Sequence, residues 1–290
     1  MNKHIPLVAL IGNPNAGKTA LFNALTGLNH KVSNYPGVTV ERKVGKVQIE
    51  SVMVNILDLP GTYSLIPESQ DEAIVVDEVN QWNQMIERPV CIISVVDSTN
   101  LNRNLYLTSQ LLDLGIPVLV ALNMTDLARK KSLRIDTSEL QKKLGCAGVV
   151  SVAARLEEGI DDLKNEVKNI LDEKVPNKHN KMIPLPEPIR DAIEPVSDWL
   201  MKQKPIHLRM AQAQALRAVS SNNNWQFETD GLSTLIKTAR EKVNDLGFPH
   251  STLEATIRYH WLDQILSLIH ISEPTRQRLI SYAVFCLKKK

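Results

Sequence analysis

A glycine-containing segment near the amino terminus has the residue types that bind a triphosphate. The segment reads Gly12-Asn13-Pro14-Asn15-Ala16-Gly17-Lys18-Thr19 and fits the pattern G-x-x-x-x-G-K-[ST] between an apolar run and a stretch of helical spacing. Its glycines let backbone N–H groups turn toward phosphate oxygens, and the amino end of the next helix adds a favourable dipole. We expect the Lys18 ammonium to contact the β- and γ-phosphates and the Thr19 hydroxyl to bind Mg²⁺. The alternative is a chance glycine loop.

A second motif follows a later apolar run. Asp58-Leu59-Pro60-Gly61 ends that run, where Asp58 can hold Mg²⁺ through water and the Gly61 N–H can contact the γ-phosphate. In isolation, the same four residues are also an ordinary turn at the end of a strand.

A third motif carries the information about the base. Asn123-Met124-Thr125-Asp126 ends another apolar run, and a carboxylate at Asp126 can accept both the ring N–H and the exocyclic amine of guanine. The alternative role of Asp126 is a helix N-cap. Because ligands bind beyond the carboxyl ends of parallel strands, the three motifs together predict one site for a guanine nucleotide.

The composition limits the class of protein. The chain of 290 residues has 43% hydrophobic and 23% charged residues, the balance of a globular protein with a real core. No apolar run is long enough to span a bilayer, and the amino terminus lacks a signal-peptide cleavage site, which favours a reduced, cytoplasmic compartment. Aromatic residues make up only 4%, which argues against a base-stacking surface for nucleic acid. The cysteines lack paired spacing, and the scattered histidines indicate no iron site.

Strand and helix patterns alternate through residues 1–173 and predict an α/β domain with a mostly parallel sheet covered by helices on both faces. Val40–Val47 and Val52–Leu57 are predicted to add an antiparallel edge, and Lys31–Thr39 has the composition of a loop. The proline-rich residues 174–188 predict a linker. Residues 189–265 show only helical patterns, which predict a small all-α domain of three to five helices.

The last residues have a different character. Leu266–Arg276 and Ile280–Leu287, followed by a lysine run, resemble the translation of a sequencing-library adapter. We therefore interpret residues 266–290 as an artefactual tail; the alternative is a short amphipathic helix. Without this tail the formal net charge of +2 becomes −2, so the weakly basic balance does not indicate a nucleic-acid partner.

The three motifs resemble those of Ras-like P-loop GTPases. The resemblance implies that Thr39, preceded by Gly37 and Val38, closes on Mg²⁺ as the switch I threonine, and that Ala153-Ala154 provide a backbone N–H for the guanine keto oxygen. It assigns the catalytic groups to Lys18, Thr39 and Gly61. Thr62 stands where Ras-like proteins place a water-orienting glutamine, so intrinsic hydrolysis is expected to be slow. Asn15 matches the potassium ligand of potassium-activated members, which makes K⁺ a candidate cofactor.

Longer strings are similar to the FeoB family of ferrous iron transport proteins, over residues 5–264. They are IGNPNAGKTALFNALTG, NYPGVTVERKVG, DLPGTYSL and VVDSTNLNRNLYLTSQLLDLGIPVLVALNMTD. The resemblance implies a GTPase (G) domain and a helical domain at the cytoplasmic face of the bacterial inner membrane. It further implies a membrane permease that is missing here, Fe²⁺ as transported substrate rather than ligand, small cytoplasmic Feo accessory proteins and homo-oligomers as partners, and no nucleic acid.

Two other functions remain open from the residues. One is a soluble GTPase acting on ribosome or tRNA, although residues 189–264 show neither a GXXG loop nor a basic patch. The other is a switch that binds nucleotide without useful hydrolysis, because Thr62 is too short to orient water.

Overall fold

The computed structural model describes residues 5–28, 30–35, 40–67, 69–82, 88–172, 183–203, 206–221 and 230–269. The chain divides into two compact units. The first is made mainly of residues up to Lys181, and the second mainly of Met182–Leu268.

A seven-stranded sheet forms the centre of the first unit, in the order β2-β3-β4-β1-β5-β6-β7. The strands are β1 (Leu7–Gly12), β2 (His30–Asn34), β3 (Glu41–Ile49), β4 (Val52–Asp58), β5 (Cys91–Asp97), β6 (Val118–Asn123) and β7 (Gly148–Ser151). Strands β4, β1, β5, β6 and β7 are parallel to one another, whereas β2, β3 and β4 pair antiparallel. This arrangement confirms the predicted mostly parallel sheet with an antiparallel edge.

Helices cover both faces of this sheet. They are α1 (Lys18–Thr26), α2 (Gln70–Gln81), α3 (Leu101–Leu112), α4 (Thr125–Lys130), α5 (Thr137–Leu144) and α6 (Ile160–Leu171). Because side chains alternate along a strand, Val8 and Leu10 of β1 pack in one cluster with α1 and α6, while Ala9 and Ile11 are buried toward the other face. Helix α3 contacts β1, β5 and β6. Continuous apolar strands therefore form the middle of the layered core, as parallel strands require.

The prediction of a loop over Lys31–Thr39 is wrong for its first part. Residues His30–Asn34 form β2, which pairs antiparallel with β3 from His30↔Gly45 to Asn34↔Glu41. Most of β2 is exposed at the edge of the sheet, which allows the polar composition that is typical of a loop. The strand is evident only from its pairing with β3. Gly37, Val38 and Thr39 lie outside the described residues.

Four helices make up the described part of the second unit: α7 (Glu187–Gln203), α8 (Leu208–Ser220), α9 (Asp230–Asp245) and α10 (His250–Leu268). Helix α7 begins inside the predicted linker 174–188, because proline at position 188 falls in the first helical turn, where its missing N–H costs nothing. Helix α10 continues three residues past the predicted domain end at 265, into the segment interpreted as the tail. Residues 270–290 lie outside the described residues.

Two arginine side chains make polar contacts inside the second unit. Arg258 and Glu254 form an ion pair one turn apart on α10, with both side chains only 1% exposed. Arg240 of α9 donates to the carbonyl oxygens of Val219 (3.0 Å) and Ala218 (3.2 Å), which closes the carboxyl end of α8. The Arg240 bonds join α9 to the end of α8 within this unit. Across the residues the structure describes, no helix is both long and apolar enough to cross a bilayer.

Candidate nucleotide-binding site

The phosphate loop connects β1 to α1 at the carboxyl edge of the sheet. A Cβ on Gly12 would lie 2.7 Å from the carbonyl oxygen of Val95 on β5, so no larger residue fits there. Gly17 has a φ of 83°, and a Cβ on it would overlap the Asn123 side-chain amide. Asn15, also left-handed with a φ of 66°, is exposed on the loop. The predicted glycines are thus required by backbone conformation and by close packing.

The second motif lies against this loop. The Lys18 ammonium forms an ion pair with the carboxylate of Asp58 at the end of β4, and Asp58 is 6% exposed. A Cβ on Gly61 would lie 3.2 Å from the backbone nitrogen of Pro14, so the Asp58–Gly61 segment packs directly on the phosphate loop. Thr19 follows Lys18 in the first turn of α1 and is exposed.

This donor set fits a Mg²⁺ ion carried with a nucleotide. A hydroxyl and a carboxylate are hard oxygen ligands, and Mg²⁺ takes one or two of these together with waters and substrate phosphates. Among the described residues no group of three or more His, Cys, Asp or Glu side chains forms a metal cage. Among the described residues, Thr19 and Asp58 are the predicted side chains that could bind the ion; Thr39 lies outside them.

Asn123 connects the third motif to the phosphate loop. Its Nδ2 donates to the Ala16 carbonyl (2.9 Å), and its Oδ1 accepts from the Ala154 N–H (3.0 Å), while the residue is only 3% exposed. One side chain therefore joins the loop after β1, the end of β6 and the loop after β7.

Asp126 lies half-buried in the first turn of α4. The helix starts at Thr125 after Met124, which has a φ of 62° and makes no side-chain cap, so the alternative role of Asp126 as N-cap is wrong. The Thr125 hydroxyl (2.9 Å) and N–H (3.2 Å) both donate to the Val152 carbonyl, which ties the start of α4 to the end of β7.

The loop after β7 closes on itself. The Ala153 N–H donates to the Glu158 carbonyl (3.0 Å), and the Glu158 N–H donates back to the Ala153 carbonyl (3.3 Å). The N–H groups of Ala153 and Ala154 are thus both used within the chain, so a guanine contact through either would have to replace one of these bonds. Gly159 follows with a φ of 75°, and a Cβ there would overlap the Ser151 carbonyl oxygen.

The segment after Gly61 has contacts that the sequence did not predict. Thr62 is fully buried, and its hydroxyl shares one hydrogen between two acceptors, the Ser64 carbonyl (2.7 Å) and the Glu72 carboxylate (3.1 Å). The Leu65 N–H donates to the Gln110 side chain of α3 at 2.6 Å. Thr62 is therefore engaged with its own segment and with α2. The only available signal was Ser69-x-x-Glu72, a pattern typical of a helix start, which says nothing about these contacts.

Helix α3 also holds this segment from another position. The Arg103 guanidinium lies 4.4 Å from the centre of the Tyr63 ring, and the Arg103 carbonyl accepts from the Asn13 side chain at 3.4 Å. Arg103 and Gln110 are seven residues apart and hence on one face of the helix. The phosphate loop and the segment after Gly61 are therefore both bonded to α3.

Tyr35 precedes the predicted switch I residues. Its N–H donates to the Val40 carbonyl at 2.9 Å, which brings together the two ends of residues 36–39. Burial raises the pKa of the Tyr35 hydroxyl far above its usual value, with a smaller contribution from the charge of Glu78, so the phenol stays neutral.

The chain matches the family model described as ferrous iron transport protein B over residues 6–167. It is 48% identical to the Fe(2+) transporter FeoB of Legionella pneumophila (strain Paris) over 162 residues, which cover 54% of this chain and 21% of that protein. It is 41% identical to the Fe(2+) transporter FeoB of Salmonella typhimurium (strain LT2) over 203 residues, 70% of this chain and 25% of that protein. The chain thus corresponds to about a quarter or less of the length of these relatives.

Solved structures agree with this relationship. The cytosolic domain of L. pneumophila FeoB matches with a TM-score of 0.73 and 35% identity, covering 91% of this chain and 98% of that chain. An S. thermophilus NFeoB mutant bound to GDP matches with a TM-score of 0.78 and 32% identity, covering 91% of this chain and 99% of that chain. Because the family model spans more than half of the sequence, the chain belongs to the ferrous iron transport protein B (FeoB) family.

Proposed function

We propose that the first unit is a GTPase switch that binds GTP and GDP with Mg²⁺, hydrolyses GTP and controls Fe²⁺ uptake through a membrane permease. One observation carries the nucleotide site: three motifs far apart in sequence meet at one edge of the sheet, through the Lys18–Asp58 ion pair and the Asn123–Ala16 bond. The GDP-bound structure of the S. thermophilus relative supports the choice of nucleotide.

Each motif has a separate task in this mechanism. The Lys18 ammonium and the backbone N–H groups of Gly12–Gly17 stabilise the negative charge of the phosphates, and Lys18 would leave Asp58 when a triphosphate binds. Thr19, Thr39 and, through water, Asp58 would hold a Mg²⁺ ion, which would supply positive charge beside the transferred phosphoryl group. The N–H of Gly61 contacts the γ-phosphate, and Asp126 selects guanine over adenine.

Slow intrinsic hydrolysis is part of the proposal. A Ras-like enzyme orients the attacking water with a glutamine side chain, whereas the Thr62 hydroxyl is buried and bonded to Ser64 and Glu72. Asn15 projects from the phosphate loop in a left-handed conformation, and its amide oxygen is a suitable ligand for K⁺. Equal GTP turnover in sodium and potassium buffers would rule out a potassium role.

The membrane part of the proposal rests on the relatives. Both curated proteins are named Fe(2+) transporters and are about four to five times longer than the matched segment. We infer that this chain works at the cytoplasmic face of the inner membrane, next to the permease, with Feo accessory proteins and further copies of the chain as partners. The ribosome or tRNA alternative is not retained, because it has no support among these relatives.

Nucleotide specificity tests the first half of the proposal. The purified chain should bind GDP and GTP in magnesium buffer and discriminate against ATP. Asp126→Asn should lower the affinity for GTP about 100-fold and favour xanthosine triphosphate. The reason is that the amide places an N–H donor where the carboxylate has an acceptor oxygen. Asp136→Asn is the matched control, since Asp136 caps α5 away from the motifs. Preference for ATP, or unchanged GTP affinity in Asp126→Asn, would contradict the assignment.

The buried Thr62 hydroxyl favours one second candidate, a switch that binds nucleotide without useful hydrolysis. Single-turnover cleavage of prebound GTP distinguishes the two. Release of phosphate faster than from GTP in buffer supports the enzyme, and an unchanged GTP pool supports the binding switch.

A further inference from the structure

An ion pair joins α4 to the loop after β7, the two segments that would enclose the base. The Arg129 guanidinium of α4 pairs with the Glu158 carboxylate, across 29 positions of sequence. Arg129 lies three residues after Asp126, and Glu158 ends the loop that begins at Ala153. The two side chains are 62% and 47% exposed, so the pair is at the surface of the first unit.

The inner ends of these two segments are already fixed to each other. Thr125 donates twice to the Val152 carbonyl, and the Ala154 N–H donates to Asn123. In sequence, Asp126 lies between Thr125 and Arg129, and Ala154 lies between Val152 and Glu158. The two segments that carry the predicted base contacts are therefore joined to each other on both sides of those contacts.

Movement of Glu158 is transmitted to the base contacts by the backbone. Glu158 and Ala153 exchange two hydrogen bonds, and Gly159, packed on the Ser151 carbonyl, fixes where the loop rejoins α6. If Glu158 swings outward, it pulls on Ala153 and, through it, on the Ala154 N–H bonded to Asn123. The ion pair thus opposes the opening of the loop that a bound guanine must pass.

We propose that Arg129 and Glu158 form a clasp over the base side of the site and slow the release of guanine nucleotide. This inference rests on the proposed nucleotide-binding function. Arg129 and Glu158 are positioning residues rather than catalytic ones, because they act through these segments on Asp126 and Ala154. Hydrolysis itself depends on the phosphate side and is independent of the clasp.

The test measures the dissociation of a fluorescent GDP analogue from the full chain after addition of excess unlabelled GDP. At low ionic strength, Arg129→Gln and Glu158→Gln should each release GDP about 2- to 5-fold faster, the range expected for one exposed ion pair. The double variant Arg129→Glu with Glu158→Arg should return the rate to that of the unaltered chain, because it restores the pair with opposite polarity.

Salt and a second readout separate the clasp from a general structural effect. Added tetramethylammonium chloride, at fixed potassium, should remove most of the difference near 1 M, where the screening length falls to about 3 Å. Single-turnover cleavage of prebound GTP should be unchanged in the same variants. Lys143→Gln and Glu139→Gln are matched controls for net charge, because this half-buried pair lies within α5 alone.

Several results would overturn the clasp. These are single variants that release GDP at the unaltered rate in low salt, a charge-swapped variant as fast as the single ones, and α5 controls that accelerate release equally. If the unaltered chain binds no GDP, the proposed function itself is wrong and the clasp with it. This result is distinct from the three above, in all of which the unaltered chain still binds GDP.

Discussion

The proposed phosphate side and base side of the site are held together by different contacts. On the phosphate side, Gly12 lies against backbone atoms of Val95 and Gly61 against those of Pro14. On the base side, Gly159 also lies against backbone, at the Ser151 carbonyl, but α4 and the loop after β7 are joined to each other by side chains, with Thr125 bonded to Val152 inside and Arg129 paired with Glu158 outside.

This difference predicts how each side responds to change. Tight contacts in a packed core relax little, so a single added carbon on the phosphate side should cause a large loss of affinity. Side-chain bonds are replaceable by water at a moderate cost, so the base side should respond in graded steps. Asn123 belongs to both sides, because it bonds Ala16 and Ala154.

The largest effect is expected for Gly17→Ala. An alanine there must keep a φ of 83° and would overlap the Asn123 amide, which would lose its bond to Ala16. We expect GDP affinity, measured by calorimetry, to fall about 100-fold. The control is Gly27→Ala, with a φ of 58° and no atom within 4 Å, which should cost about 1 kcal/mol of stability and leave affinity unchanged. Equal losses in both variants would refute the steric argument.

Asn123→Ala comes next, because it breaks the bond between the two sides. Leaving the Ala16 carbonyl and the Ala154 N–H without this partner should lower the unfolding free energy by about 2–4 kcal/mol. It should also lower the affinity for GDP about 30-fold. Asn104 is the matched control: it is also buried and bonds Asp97 and Asn100, so Asn104→Ala should destabilise in chemical denaturation without a comparable loss of affinity. An equal loss of GDP affinity in Asn104→Ala would contradict a specific role of Asn123.

Thr125→Val tests the graded response of the base side. The change keeps the shape of the side chain and the N–H bond to Val152 but removes the 2.9 Å hydroxyl bond. We expect GDP to dissociate about 5-fold faster, which corresponds to one hydrogen bond of about 1 kcal/mol. Thr137→Val, at the start of α5, is the control. A loss as large as that of Gly17→Ala would show that the base side is as rigid as the phosphate side.

The smallest effect is a difference in labelling rate between two buried thiols, which reports local opening of the sheet. Cys91 begins the inner strand β5, and Cys146 lies just before the edge strand β7 that leads into the base loop. Burial raises the pKa of both thiols to about 12, so labelling at pH 8 requires local opening. In a Cys286→Ser background we expect Cys146 to label about 2- to 3-fold faster than Cys91, because edges open more easily. Faster labelling of Cys91 would reverse the ranking.

The same thiols predict a pH dependence of stability. Above the ordinary pKa of 9.0 an unfolded thiol ionises, whereas the folded one stays neutral until about 12. Their contribution to the unfolding free energy is therefore complete below pH 9 and is lost as the pH rises toward 12. The Cys91→Ala, Cys146→Ala double variant should show a shallower decline in denaturant titrations over that range, and an equal decline would contradict the shifted values.

Elements with a strong local signal were predictable. The continuous apolar runs of β1, β5 and β6 predict buried strands whatever their neighbours are. Gly12 and Gly17 predict the turn that connects β1 to α1. Strand β2 was missed because an exposed edge strand has no apolar alternation of its own. The start of α7 was misplaced because the prolines of residues 174–188 indicated a linker, whereas proline is tolerated in the first turn of a helix.

The sequence by itself determined the parallel core, the order of the motifs and the residue types able to bind a guanine nucleotide, because these depend on local pattern and chemistry. Only the tertiary structure decided which distant groups meet: Lys18 with Asp58, Asn123 with the phosphate loop, Thr62 with Glu72, and Arg129 with Glu158. Such pairings depend on the position of whole strands and helices in three dimensions, and residue spacing along the chain carries no record of them.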